Sequence, residues 1–236
     1  MENVWSSINS PLHYCKAEYS TMRIAGVDEA GRGCLIGPLI VAGVAFEKEV
    51  IPQLCDLGVR DSKKLTPKRR EEIADLIKDL ALGVSYFELQ PRSIDLIVLR
   101  NVKLRKLNYV EAMAMAKVIR ELRPDEAYVD ACDVNALRFG KIIAKVLGHK
   151  LNIVSEHRAD STYVVVSAAS ILAKDRRDAI ISELRDRYGD FNSGYPSDEK
   201  TITWLEEWLY NNDECPDCVR LSWKPVKKTR ERIKGV

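Results

Sequence analysis

Residues 22–46 read MRIAGVDEAGRGCLIGPLIVAGVAF, and this stretch decides the fold. Met22–Asp28 is short, apolar and closed by glycine-rich sequence, the pattern of a buried strand. Gly37–Phe46 is apolar and β-branched, and Pro38 and Gly43 oppose a helix there, so a second strand follows. Between them lies Asp28-Glu29-Ala30-Gly31-Arg32-Gly33-Cys34-Leu35-Ile36-Gly37-Pro38. A dinucleotide-binding loop would need its glycines to open a helix, whereas here a strand follows. A P-loop would need Gly-Lys-Ser/Thr, which is absent. A plain hairpin turn explains the glycines but not two adjacent acids at the end of an apolar strand, where uncompensated carboxylates are costly. Backbone N–H groups in such a turn can meet phosphate or hydroxyl oxygens. Arg32 adds the means for a charge-assisted contact.

Working outward, Thr66-Pro67 is an N-cap followed by proline at the first helical position. Ile73, Leu76, Ile77 and Leu80 then keep a helical period. Gly83–Leu89 predicts a third strand, Glu126–Asp130 a fourth and Leu151–Ser155 a fifth. Helices are predicted near Ser93–Leu99, Lys103–Leu122, Asn135–Leu147, Val165–Tyr188 and Glu199–Tyr210, and the basic tail has room for another. Strands joined partly by hairpins and partly by helical crossovers predict an α/β fold, a mixed five-stranded sheet with helices on both faces and a C-terminal helical region. The expected layout is an N-terminal extension over residues 1–21, a catalytic domain over 22–190 and a helical, basic region over 191–236 packed on it.

A chain of 236 residues suits one such domain with a small appendage. The net charge of +2 does not announce a nucleic-acid binder. The distribution says more: residues 217–236 carry seven Lys/Arg against two acids, a net +5, which suits either contact with duplex backbone or a frayed, solvated helix. No apolar run reaches the length of a membrane span, and no secretory leader is visible, so a cytosolic protein without membrane partners is expected. Six cysteines are scattered, and only Cys215 and Cys218 have ligand-like spacing. A zinc site would need two more ligands, so a local disulfide or two free thiols are expected. Cys34, in the turn itself, would expose the site to oxidation. His13, His149 and His157 show no mutual metal spacing and read as structural or surface residues.

Asp28–Gly33 with Gly37-Pro38 resembles the opening motif of ribonuclease HII, the type 2 ribonuclease H family, in its archaeal-like form. Asp61-Ser62-Lys63-Lys64-Leu65, Tyr128-Val129-Asp130, Ala159-Asp160 with Ser167–Lys174 and Arg177-Asp178, and Ser193–Asp198 resemble four later segments in the right order. The resemblance runs from Met22 to about Lys224. It implies a ribonuclease H-like fold and an endonuclease that hydrolyses the RNA strand of RNA–DNA hybrids. It also implies incision 5′ of ribonucleotides embedded in duplex DNA, leaving 3′-hydroxyl and 5′-phosphate ends. By resemblance, Asp28, Glu29, Asp130 and Asp160 are the metal-binding acids, Gly31, Arg32 and Gly33 read the ribose 2′-hydroxyl, and Tyr195 packs on the neighbouring deoxyribose. Partners are then hybrid duplex and ribonucleotide-containing DNA, bound by a monomer.

Four clustered carboxylates resist ionising together, and divalent cations remove that conflict. Hard oxygen ligands select Mg²⁺ or Mn²⁺, and two such ions are expected. Asp28 and Glu29 are adjacent, so in a regular strand they would face opposite ways. A bend or strand end at Glu29 is expected to bring both to one site. Lys63 precedes a helix and reads either as a solvated basic turn or, as the resemblance favours, as a phosphate contact. Lys174 faces either substrate phosphate and the acids or an ordinary surface ion pair. Two other readings stand beside the nuclease: an idle hybrid-binding module, which would have lost at least one acid, and another nuclease or integrase of the same fold, which would lack the Gly31-Arg32-Gly33 turn.

Overall fold

A computed structural model describes residues 21–59, 65–99 and 107–235. Lys63, with Asp61, Ser62 and Lys64, lies outside the described residues, as do residues 1–20 and Lys103. The strands are β1 (Arg23–Ala30), β2 (Leu39–Glu47), β3 (Gly83–Leu89), β4 (Glu126–Asp130) and β5 (Asn152–Glu156). They form a mixed sheet in the order β3-β2-β1-β4-β5. β2 pairs antiparallel with both β1 and β3, and β4 runs parallel to both β1 and β5. The central strand β1 is covered on both faces, which is why it reads as an apolar run without alternation.

Helices α1 (Ile51–Asp56) and α2 (Pro67–Leu80) pack on one face with α7 (Val164–Tyr188). Helices α4 (Leu107–Leu122) and α5 (Ala136–Leu147) cover the other. Strand alternation sorts the side chains: Ile24, Ile40 and Phe46 join the α7 face, and Val27, Val41 and Val129 the α4–α5 face. The α2 start is as expected, with the Thr66 side chain accepting the Arg69 N–H. The first ten residues of α7 are all buried, so it enters as an apolar core helix and becomes amphipathic only later. It crosses β1 closely. A Cβ at Gly26 would lie 2.0 Å from the Val165 carbonyl oxygen, so only glycine admits the helix there.

α3 (Pro91–Leu99) follows β3, and a four-residue turn, α6 (Ala159–Thr162), precedes α7. The basic tail does form a helix, α9 (Lys224–Lys234), packed against α8 (Glu199–Asn211). Leu205, Leu209 and Val226 share a core with Leu35 and Ile36, so the C-terminal helices are built onto the residues that follow the glycine turn. No described helix is long and apolar enough to cross a membrane.

Candidate active site

β1 does not bend or stop at Glu29. Its pairing continues as Asp28 with Ala42, Glu29 with Val41 and Ala30 with Ile40. The expected bend is therefore corrected: the two acids lie on opposite faces of one regular strand. Asp28 takes the α7 face with Ala30, where the Ser170 hydroxyl and Lys174 reach it. Glu29 takes the other face, near Glu111 of α4.

Asp130 unites the pair. The parallel register sets Val27 beside Val129, so Asp28 and Asp130 stand side by side at the carboxyl ends of neighbouring strands, on one face. Asp28 is 4% exposed. Burial pushes its carboxyl up to about 7, and the charge of Asp130 adds to the rise. Against this, the Ser170 hydroxyl and the Glu29 N–H donate to it, the latter at 2.7 Å, and Lys174 lends positive charge. Burial also holds Glu29 well above the usual carboxylate range, helped by Asp28, Glu111 and Asp130. The Ala159 N–H donates to Asp130 Oδ1 at 3.0 Å, which draws α6, and with it Asp160, to the end of β4. Asp160 is buried in α6, a turn of its own ahead of the long helix; its Oδ1 accepts from Ser161 Oγ at 3.2 Å and its carbonyl from the Ser167 hydroxyl.

The donor set suits a hard divalent cation. Glu29 Oε2 is buried without a hydrogen-bond partner, an acceptor waiting for a positive ligand. Among the described residues, though, no three His, Cys, Asp or Glu side chains close round one point as metal ligands.

The glycine turn leads directly off β1. Gly31 has φ +81°, and a Cβ there would come within 2.7 Å of the Pro38 carbonyl oxygen. Gly33 is exposed with open space where a side chain would go. Arg220, fully buried, clamps the turn from beneath. It donates from Nη2 to the Gly31 carbonyl at 2.7 Å, from Nη1 to that of Arg32 at 2.9 Å and from Nε to that of Gly37 at 3.1 Å. Asp95 of α3 secures the adjoining segment by accepting the Leu221 and Ser222 N–H groups. Neither residue was singled out from sequence: Arg220 belongs to a tail that reads as uniformly basic, and its partners lie up to 189 positions away.

Tyr195 sits beside this turn. The Leu35 N–H donates to the Gly194 carbonyl at 2.7 Å. The Arg177 guanidinium lies 4.6 Å from the Tyr195 ring centroid and donates to the Ser193 carbonyl at 2.9 Å. A cleft of about 750 Å³ opens here, lined by Ala30, Arg70, Lys174, Arg177, Asp178 and Tyr195 among others. The Lys174 ammonium donates to Ser170 Oγ at 2.9 Å and lends positive charge to Asp28. Cys34 is fully buried and donates to the Gly31 carbonyl, which shields it from the oxidation expected of it. Cys215 and Cys218 are free thiols.

A family model described as Ribonuclease HII matches residues 25–226. The chain belongs to the ribonuclease HII family. A protein of Thermococcus onnurineus (strain NA1) named Ribonuclease HII is 45% identical over 212 residues, spanning 90% of this chain and 92% of its own length. The crystal structure of the ribonuclease H2 from Pyrococcus horikoshii OT3 superimposes with a TM-score of 0.84 at 39% identity, covering 91% of this chain and all of the other. The ribonuclease HII solved in complex with PCNA from Archaeoglobus fulgidus gives 0.79 at 40% identity, over 88% and 96% of the two chains. The sheet and its flanking helices are therefore the ribonuclease H-like fold. Ribonucleases HII cleave the RNA of RNA–DNA hybrids, and the chain is accordingly an endoribonuclease.

Proposed function

We propose that the enzyme incises the strand 5′ of a ribonucleotide, both in hybrids and at ribonucleotides embedded in duplex DNA, with Asp28, Glu29, Asp130 and Asp160 holding two Mg²⁺ or Mn²⁺ ions. The observation that carries the metal site is the Asp28–Asp130 pair, two carboxylates fixed on one face with the orphaned Glu29 Oε2 near them. When bound, the ions would activate water and stabilise the leaving 3′-oxygen. The chain's own groups do the rest. Lys174 offsets negative charge beside Asp28, and the glycine turn offers backbone N–H groups to a ribose. Tyr195 lays its ring on the next sugar. Lys63 contacts a phosphate ahead of α2. Excess chelator should abolish cleavage with the far-ultraviolet spectrum unchanged, Mg²⁺ or Mn²⁺ should restore it, and Ca²⁺ should support binding with little turnover. Full activity in chelator would sink the two-ion reading.

The tail supplies sequence-blind affinity in this reading. Deleting α9 would be a poor test, because Val226 is buried in the core it shares with α8. Arg232 and Lys234 are also engaged, with Glu206 and Asp213. Lys224, Lys227 and Lys228 are exposed, and replacing all three by Gln keeps the packing. Duplex affinity should weaken, and the slope of log K against log salt should flatten by about 0.9 for each phosphate no longer neutralised. An unchanged slope would show that these lysines do not touch the duplex.

A further inference from the structure

The arginine of the glycine turn is held by the protein itself. Arg32 donates from Nε to Glu111 Oε1 at 2.8 Å and from Nη2 to Asn108 Oδ1 at 2.7 Å. Glu111 is 0% exposed, whereas 41% of the Arg32 side chain remains accessible. One edge of the guanidinium is thus buried against α4 while other N–H groups stay at the surface, beside the turn. The Asn108 amide is itself oriented, because its Nδ2 donates to Asp133 Oδ2 at 3.0 Å. Asp133 is anchored in turn by the Asn135 N–H at 2.9 Å and by the Arg138 guanidinium. These hydrogen bonds hold its carboxyl down at about 2, so it stays an acceptor at working pH. Asp133 lies three residues beyond Asp130. The second Glu111 oxygen accepts from the Cys132 thiol at 3.1 Å. A continuous set of contacts therefore runs from the loop after Asp130, through α4, to the turn after Glu29.

We propose that Glu111 and Asn108 are positioning residues for Arg32, fixing its guanidinium against the ribose-reading turn and locking that turn in register with the strand end that carries Asp130. This rests on the reading of Gly31, Arg32 and Gly33 as the ribose recognition element. The arrangement is suited to the task. Arg has a planar fork of donors, and immobilising one edge leaves the other pre-aimed at substrate oxygen with little entropy left to lose. Glu111 and Asn108 touch no substrate in this scheme, and their effect passes entirely through Arg32.

The test measures binding in chelator, by fluorescence anisotropy, of two labelled duplexes, one all-DNA and one with a single ribonucleotide. The quantity read is the ratio of the two dissociation constants. Losing a hydrogen bond to a charged partner costs a factor of about ten or more. Asn108→Ala, Glu111→Gln and Arg32→Ala should each shrink the wild-type preference for ribonucleotide by about that factor, with weaker effects on all-DNA duplex. Adding Asn108→Ala or Glu111→Gln to Arg32→Ala should shrink it no further, the signature of residues acting through a shared partner. Should Glu111→Gln fail to fold, Asn108→Ala carries the same test, since Asn108 is only half-buried. Singles that melt normally and keep the full preference would overturn the positioning role, as would losses that add fully in the doubles. A wild-type protein with no ribonucleotide preference would instead overturn the ribose-reading role of the turn, and the positioning role with it.

Discussion

Asp28→Asn should reduce cleavage by about 10³-fold or more, the rate equivalent of losing several kcal/mol of metal-borne charge stabilisation, while making the metal-free protein more stable. Both effects have one origin. The Asp28 carboxyl is buried beside Asp130 and ionises near about 7. The unfolded chain would release that proton near 3.8. Between those values the folded state holds a proton the unfolded state has lost, so stability falls as pH rises through the window. Above it the ionised fold carries a penalty on the order of 4 kcal/mol at most. Asn cannot ionise, yet its carbonyl still accepts the Glu29 N–H. In chelator at pH 8, Asp28→Asn should therefore melt higher than wild type, by about 5 °C or more, and the gap should narrow as pH falls toward 4. Asp130→Asn should lose activity likewise and lift part of the strain on Asp28. A folded Asp28→Asn enzyme with near-normal turnover would remove Asp28 from the ligand set, and a lower melting point at pH 8 would refute the electrostatic account of the pair.

That pair shows how far the sequence could be read. Asp28 and Asp130 could be singled out because each closes the apolar run of a short strand, although β1 itself continues to Ala30, and the bounds of β3 and β4 follow from the turn residues around them. The bend at Glu29 was not there. The expectation assumed that two adjacent acids must reach one face, whereas the fold uses both faces and lets Asp130, on the neighbouring parallel strand, couple to each. α1 escaped notice because six residues with only Leu54 buried give no period to detect. α6 escaped because four residues cannot. Arg220 and Glu111 were hidden for a different reason. A charged side chain in a sequence is read as solvated by default, and nothing local distinguishes one that is buried against carbonyls or a guanidinium from a distant segment. Their roles exist only once β1, α4 and the C-terminal region meet.

Duplex DNA holding a single ribonucleotide should be cut on its 5′ side, leaving 3′-hydroxyl and 5′-phosphate ends, whereas all-DNA duplex should be left essentially intact. RNA differs from DNA at a given site by the 2′-hydroxyl. Gly33 is exposed with nothing where its Cβ would stand, so a sugar can approach the backbone of the turn there. Arg220 fixes the carbonyls of Gly31 and Arg32, so the turn is rigid before substrate arrives. Arg177 braces the Tyr195 ring at 4.6 Å, setting the ring at a defined distance from that turn. A ribose read by the turn, followed by a deoxyribose stacked on Tyr195, is the pair of sugars that the proposed reading requires. A site that hydrogen-bonds a substrate hydroxyl rejects the analogue lacking it by about 10⁴-fold or more, because its polar groups are left unpaired. Gly33→Val should keep the fold, since the space is open, yet block the sugar and lower cleavage of the single-ribonucleotide substrate. Tyr195→Ala should lower turnover at the RNA–DNA junction more than it weakens binding, because the ring aligns the sugar rather than anchoring the duplex. Labelled duplexes with zero, one and four ribonucleotides, run on a denaturing gel beside size markers, read all of these outcomes. Comparable cleavage of all-DNA duplex, or refusal of the single-ribonucleotide strand, would exclude ribose reading at the glycine turn and favour another nuclease activity on the same fold.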